Sequence, residues 1–158
     1  MAVKKALVLY NGQPAQLQAG DTLDVQAETV TYTNADSVSI VICAPVYMSA
    51  AGSFKRAQAN ATGTKDVVGL VITSPSVAAA AQGTFTMDGL ITATTAQWDA
   101  VTGQTGGLTA TSRYYLDPSN PGKLTTTPPS TVGQYVAEIG IAFNTTDLKI
   151  NILTPILL

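Results

Sequence analysis

Asp99, next to Trp98, and Asp117, next to Tyr114 and Tyr115, are the residues of this chain best placed to do chemistry. Two carboxyl groups about 5–10 Å apart across a sugar ring are the machinery of a glycosidase. Both residues also fit plainer roles. Asp99 falls on the surface of a short helix, and Asp117 opens the run Asp117-Pro118-Ser119-Asn120-Pro121-Gly122. Aspartate initiates turns because its carboxylate bonds backbone amides two residues on. The same loop offers oxygens from Asp117, Ser119 and Asn120 that resemble half of a calcium site. Calcium takes about six to eight oxygens, usually from several carboxylates, and this loop supplies one carboxylate. A turn is the simpler account.

The remaining chemistry is sparse. The chain has no histidine, which removes Ser-His-Asp and Cys-His catalysis and the usual general base near neutral pH. Cys43 is the single cysteine, so neither an internal disulfide nor a Cys/His zinc spacing exists. Its setting among Ile40, Val41 and Ile42 marks it as an inert core thiol. Gly103-Gln104-Thr105-Gly106-Gly107 is glycine-rich, yet it follows a helix and lacks the Gly-Lys-Ser/Thr ending of a phosphate loop. No catalytic residue, no metal ligand and no cofactor are expected. The chain reads as a non-enzyme.

Charge points the same way. Only 11% of the 158 residues are charged, against roughly 25% in ordinary soluble domains. Threonine, serine, alanine, glutamine and asparagine stand where lysine and glutamate usually do. Such a surface repels its own copies weakly and suits dense assembly against other proteins. The net charge is −2, and no run of Lys or Arg exceeds two residues. Direct nucleic-acid binding, which draws on clustered cations, is not expected. No apolar run approaches 18 residues, and residues 1–10 do not fit a signal peptide, so a soluble protein made in a cytosol is expected, with no membrane partner.

The elements that would position these residues are short. β-branched or alternating runs recur about every ten residues, closed by Gly, Asn, Asp or Pro. Ala6–Tyr10, Thr29–Thr33, Val38–Cys43, Val46–Met48, Val67–Thr73, Arg113–Leu116, Lys123–Thr127, Gln134–Phe143 and Leu148–Leu153 read as strands. Phe85–Thr92 crosses a turn at Asp88-Gly89, and Gly69 marks a bulge or a close backbone approach. One helix is expected over about 94–101, capped by Thr94 or Thr95, ended by Gly103 and held by Trp98. The fold class is therefore all-β: an antiparallel barrel or sandwich of short strands with one short helix. Residues 1–28 read as an N-terminal arm or hairpin, and 29–158 as the β-domain. Trp98, Tyr114 and Tyr115 are expected as structural anchors, with stacking on a sugar as the alternative.

Several stretches together look like a known module. They are Thr94-Thr95-Ala96-Gln97-Trp98-Asp99-Ala100-Val101-Thr102-Gly103, Gly106-Gly107-Leu108-Thr109, Tyr114-Tyr115-Leu116-Asp117, Pro121-Gly122-Lys123-Leu124-Thr125-Thr126-Thr127-Pro128-Pro129, and Gly133-Gln134-Tyr135-Val136 with Ile139-Gly140-Ile141-Ala142. They resemble a β-module of tailed-bacteriophage virions, found in capsid decoration, head-fibre and tail-fibre proteins. Leu9-Tyr10-Asn11-Gly12-Gln13 and Gln16–Leu23 resemble the leader that precedes such modules. The resemblance implies a structural virion protein, a decoration (cement) protein on the outer capsid surface. There it would bind the major capsid protein and stabilise the shell, often as a homotrimer. A head-fibre or tail-fibre module acting in host attachment is the alternative. No catalytic residue comes with the resemblance.

The two ends are expected to be adhesive. Lys4 and Lys5 stand beside Leu7 and Leu9 in an apolar strand that would be an exposed edge unless another chain pairs with it. Ile150–Leu158 is the stretch densest in large aliphatics. Ile152, Leu153, Ile156, Leu157 and Leu158 are thus expected at an oligomer or capsid interface. The alternative is that both ends are strands of the protomer's own barrel.

Overall fold

The computed structural model describes residues 28–158 throughout, together with the backbone of 7–10 and 13–16. The strands β1 (Leu7–Tyr10) and β2 (Gln13–Gln16) pair antiparallel, Leu7 opposite Gln16 and Tyr10 opposite Gln13. Then follow β3 (Thr29–Asn34), β4 (Ile40–Val41), β5 (Pro45–Ala50), β6 (Ser53–Arg56), β7 (Gly69–Val71), β8 (Ser76–Val77) and β9 (Gln82–Thr86). Five of them close a barrel in the order β3-β6-β5-β7-β9. The β3–β6 pairing is parallel, with Thr33 opposite Ser53 and Asn34 opposite Phe54. Strands round a closed ring of odd number cannot all alternate in direction, so a purely antiparallel barrel of five is impossible. The core of the barrel is Ile40, Val46, Phe54, Val71, Val77 and Phe85, all at most 1% exposed.

The rest of the chain builds a second layer. Here β10 (Leu90–Thr92), β11 (Arg113–Leu116), β12 (Leu124–Thr125), β14 (Glu138–Ala142) and β15 (Asp147–Ile150) form one sheet in the order β10-β15-β14-β11-β12. Helix α1 (Thr95–Thr102) packs against it, and β13 (Tyr135–Val136) pairs with β16 (Ile156–Leu157) as a separate ribbon. A single apolar cluster joins sheet, helix and barrel flank, running from Cys43, Val67 and Leu70 through Trp98, Leu108 and Tyr114 to Ile139 and Leu148. Among the described residues the fold is all-β with one helix, as the pattern of short runs and turns implies.

Several local expectations meet their cause. Thr94 is the N-cap of α1: its Oγ1 accepts from the Gln97 amide at 3.2 Å, and the Gln97 side chain accepts from the Thr94 amide at 2.8 Å. Gly103 ends the helix in the left-handed region at φ 68°. Gly69 is a close approach, since a Cβ there would lie 2.3 Å from the Thr86 carbonyl oxygen. The expected strand over 38–43 is cut to Ile40–Val41 because Cys43 takes φ 67°, outside the strand region. Cys43 is wholly buried, and burial pushes its thiol up to about 12.

One organising residue escaped the pattern. Asn34 ends β3 with no exposure, and its Nδ2 donates to the carbonyls of Val38 (3.0 Å), Val77 (3.0 Å) and Ala78 (3.1 Å). Its Oδ1 accepts the Asp36 amide at 2.8 Å. The carboxylate of Asp36 in turn meets Arg56 Nε at 2.8 Å. A single amide thus ties the end of β3 to backbone carbonyls of the segments at Val38 and at Val77–Ala78.

Candidate interaction surface

The carboxylates that open the chemical question both accept backbone amides. Asp117 Oδ1 accepts the amides of Ser119 (2.6 Å) and Asn120 (2.9 Å), and Oδ2 accepts from Asn120 Nδ2 at 3.2 Å. Asp99 is not a free helix-surface group: its two oxygens accept the amides of Gly107 (2.7 Å) and Gly106 (3.2 Å) and tie the glycine loop to the helix. Among the described residues no group of three His, Cys, Asp or Glu side chains is arranged to hold a metal ion.

Of the three aromatic anchors, two are fully buried and one is not. Trp98 has no exposure, and its Nε1 donates to the Thr146 carbonyl at 2.8 Å, so the indole fills the core with its single polar atom satisfied. Tyr114 is equally buried; its hydroxyl donates to Gln104 Oε1 and accepts the Thr109 amide, both at 2.8 Å. Neither ring is available to stack on a sugar. Tyr115 points to the other face of β11 and is half-buried.

The expected adhesive residues divide three ways. Lys4 and Lys5 lie outside the described residues. Leu7 and Leu9 lie on β1, of which the backbone pairing alone is described, opposite Gln16 and Pro14. Ile150 and Ile152 belong to the body: Ile150 is a buried member of β15, and Ile152 packs against the main apolar cluster. By contrast Leu153, Ile156, Leu157 and Leu158 are exposed at 46%, 66%, 58% and 40%.

The ribbon that carries them has definite geometry. Tyr135 stands opposite Leu157 and Val136 opposite Ile156, and the Leu158 amide donates to the Gln134 carbonyl at 3.0 Å. Alternate residues of a strand turn their backbone groups to opposite edges. Leu157 therefore faces its amide and carbonyl away from β13, and among the described residues that edge is unpaired. Successive side chains also alternate between faces. Since 156, 157 and 158 are all exposed, the strand offers apolar side chains on both faces. Tyr135 anchors the ribbon: its amide donates to the Ala59 carbonyl (2.9 Å), its hydroxyl meets Thr62 Oγ1 (2.9 Å), and Lys65 Nζ lies 5.3 Å from its ring centroid.

Two neighbours of the ribbon went unread in the sequence. Val132, 88% exposed, precedes Gly133, whose amide donates to the Leu158 carbonyl at 3.0 Å. A lone valine between Thr131 and Gly133 after a proline pair is its only sequence signal. Beside it opens a polar cleft of about 350 Å³ lined by Asp117, Ser119, Asn120, Thr127, Thr131 and Gln134. An apolar strip flanked by hydroxyls and amides has the anatomy of a protein interface, an apolar centre with a polar rim.

No helix among the described residues is long and apolar enough to cross a membrane. No family model matches the chain, and no curated protein matches it.

Proposed function

We propose that this chain is a structural virion protein, a capsid decoration protein that binds the outer surface of a shell through its β13–β16 ribbon and stabilises it. The observation that carries the proposal is the ribbon itself, apolar on both faces and open along one edge. A strand in that state pairs with another chain or invites aggregation. The weakly charged surface agrees, because copies crowded on a shell must not repel one another. The resemblance of most of residues 40–150 to the tailed-phage module supplies the setting. In this reading the partner is the major capsid protein, the protomers assemble as a homotrimer, and the chain, made in the host cytoplasm, ends on the capsid exterior. It needs no cofactor and catalyses nothing.

A fibre module acting in host attachment is the second reading, and the cleft at Asp117–Gln134 favours it, since hydroxyls and amides around a shallow depression suit a glycan. Copy number on the particle separates the two. Hundreds of copies located on the shell in a virion reconstruction support decoration; a few dozen at a vertex or on the tail overturn it. Deleting residues 154–158 should leave a folded protein that no longer decorates shells. A truncated protein that decorates normally would remove the ribbon from the proposal.

A further inference from the structure

Among the described residues the chain passes from the barrel to the second layer once, between the end of β9 at Thr86 and the start of β10 at Leu90. The crossing is Met87-Asp88-Gly89. Gly89 takes φ 102°, a conformation that glycine adopts without strain and other residues do not. Hydrogen bonds fix the backbone of this joint. The Asp88 carbonyl accepts Thr86 Oγ1 at 2.8 Å, the Gly89 carbonyl accepts the Ile150 amide at 2.9 Å, and the Met87 amide donates to the Glu28 carbonyl at 3.0 Å. The Asp88 side chain, by contrast, is 71% exposed. Its Oδ1 accepts the Gly89 amide at 2.6 Å and Lys149 Nζ at 2.8 Å.

An aspartate folded back on the next residue's amide has a reaction open to it. The amide nitrogen gives up its proton and attacks Cγ, and the new N–C bond closes a succinimide ring. The carboxyl hydroxyl leaves and departs with that proton as water. A second water then opens one of the two ring carbonyls, returning aspartate or giving isoaspartate, whose main chain runs through the side-chain methylene. Nothing is oxidised or reduced. Asp88 is the described aspartate best arranged for this. Gly89 has no side chain to block its nitrogen, and the Thr86 hydroxyl polarises the same peptide group and eases loss of its proton. Asp66 is comparably exposed and also paired with a lysine, Lys65, but β-branched Val67 follows it. Asp36 is held by Arg56, and Asp99 keeps both oxygens on the amides of Gly106 and Gly107. Asp117 precedes a proline, which has no N–H, and Asp147 enters β15 before the buried Leu148.

We propose that Asp88-Gly89 is a site of spontaneous isoaspartate formation, that Lys149 slows the reaction, and that the product loosens the joint between barrel and sheet. The form that reacts is the protonated carboxyl, because its hydroxyl leaves as water. The hydrogen bond from Lys149, helped by the Gly89 amide, holds the Asp88 carboxyl below the usual carboxylate range and keeps it ionised. Isomerisation lengthens the main chain within the crossing and carries the carboxylate onto Cα, away from Lys149. Leu90 then loses its fitted place opposite Lys149 on β15. The site belongs to the protomer and stands apart from the capsid reading.

The full chain, held at neutral pH below its melting temperature and then digested, tests this, with isoaspartate located by electron-transfer fragmentation. Isoaspartate should accumulate at 88 well ahead of 66 and carry solvent oxygen when the reaction runs in heavy-oxygen water. Asp66 isomerising as fast as Asp88, or product at 88 without solvent oxygen, overturns the proposal. Lys149→Met should raise the rate at Asp88 several-fold and leave Asp66 unchanged, and Lys149→Arg should restore the slow rate. In acid, where the carboxyl is protonated in both proteins, parent and Lys149→Met should react alike. A Lys149→Met rate equal to the parent's at neutral pH, or a ratio that persists in acid, refutes the part given to Lys149. The isomerised protein, separated by chromatography, should unfold at a lower temperature than the parent, and identical unfolding would refute the effect on the joint.

Discussion

Trp98 and Leu157 mark two regions that treat large apolar residues in opposite ways. Around Trp98 the helix lies on one side and the five-stranded sheet on the other, so the indole is wholly enclosed and its nitrogen bonded. Around Leu157 there is one neighbouring strand and no second layer, so 58% of the residue stays in solvent. The difference is one of architecture. A short strand hides its side chains only where another layer packs across it, and the β13–β16 ribbon has none within the described protomer. The core region spends its apolar area on folding, and the ribbon keeps its own for a partner.

The sharpest way to test the core side is to empty it. Trp98→Ala should destabilise the fold by about 3–5 kcal/mol, the range for deleting a buried aromatic, and should release α1 from the sheet. Chemical denaturation read by circular dichroism measures it. A loss within about 0.5 kcal/mol would place the ring in solvent and erase the contrast with Leu157.

Asn34 offers a middle case, polar and yet buried. Asn34→Ala would remove the side-chain donor shared by the carbonyls of Val38, Val77 and Ala78, of which Ala78 keeps the Ala81 amide, and would leave the Asp36 amide without its acceptor. We expect a loss of about 2–3 kcal/mol, since unsatisfied buried groups cost more than a hydrogen bond contributes. Asn34→Asp should be at least as damaging, because a carboxylate would face three carbonyl oxygens. Denaturation midpoints of the two variants check this, and a neutral Asn34→Ala would mean that water enters the barrel end and replaces the amide.

What could be read beforehand follows from the range of each signal. The helix was legible because its cap, its stop and its anchoring Trp98 all fall within ten residues of one another. The turn at Asp117 was legible for the same reason. Asn34 was not, because its partners at Val77 and Ala78 lie more than forty residues away and an asparagine after Thr33 looks like any turn residue. The parallel β3–β6 pair is a property of ring closure, which no single segment carries. At the last strands, aliphatic density over 150–158 marked the right neighbourhood but could not separate Ile150 and Ile152, which join the core, from Ile156 and Leu157, which do not. That separation depends on where the ribbon crosses the sheet, at Leu153, whose amide donates to the Glu138 carbonyl.

The smallest effect on stability should come from the ribbon, and there the contrast is most easily broken. Ile156→Ser and Leu157→Ser replace side chains that are already 66% and 58% exposed. Each should change unfolding free energy by about 0.5 kcal/mol or less, as surface substitutions do. Function should respond very differently. If the ribbon is buried against a capsid or a sibling protomer, each aliphatic contributes about 1.5–3 kcal/mol to the contact. Losing both should weaken that contact by about a hundredfold to ten-thousandfold, at about 1.4 kcal/mol per factor of ten. Sedimentation of the free protein and quantitative decoration of stripped shells measure the two contacts separately. A double variant that is equally stable but fails in either assay assigns the ribbon to that partner. A variant that loses several kcal/mol of stability would instead make Ile156 and Leu157 part of the protomer's own core, and one that is stable, self-associates and decorates normally would leave the ribbon without a role in assembly.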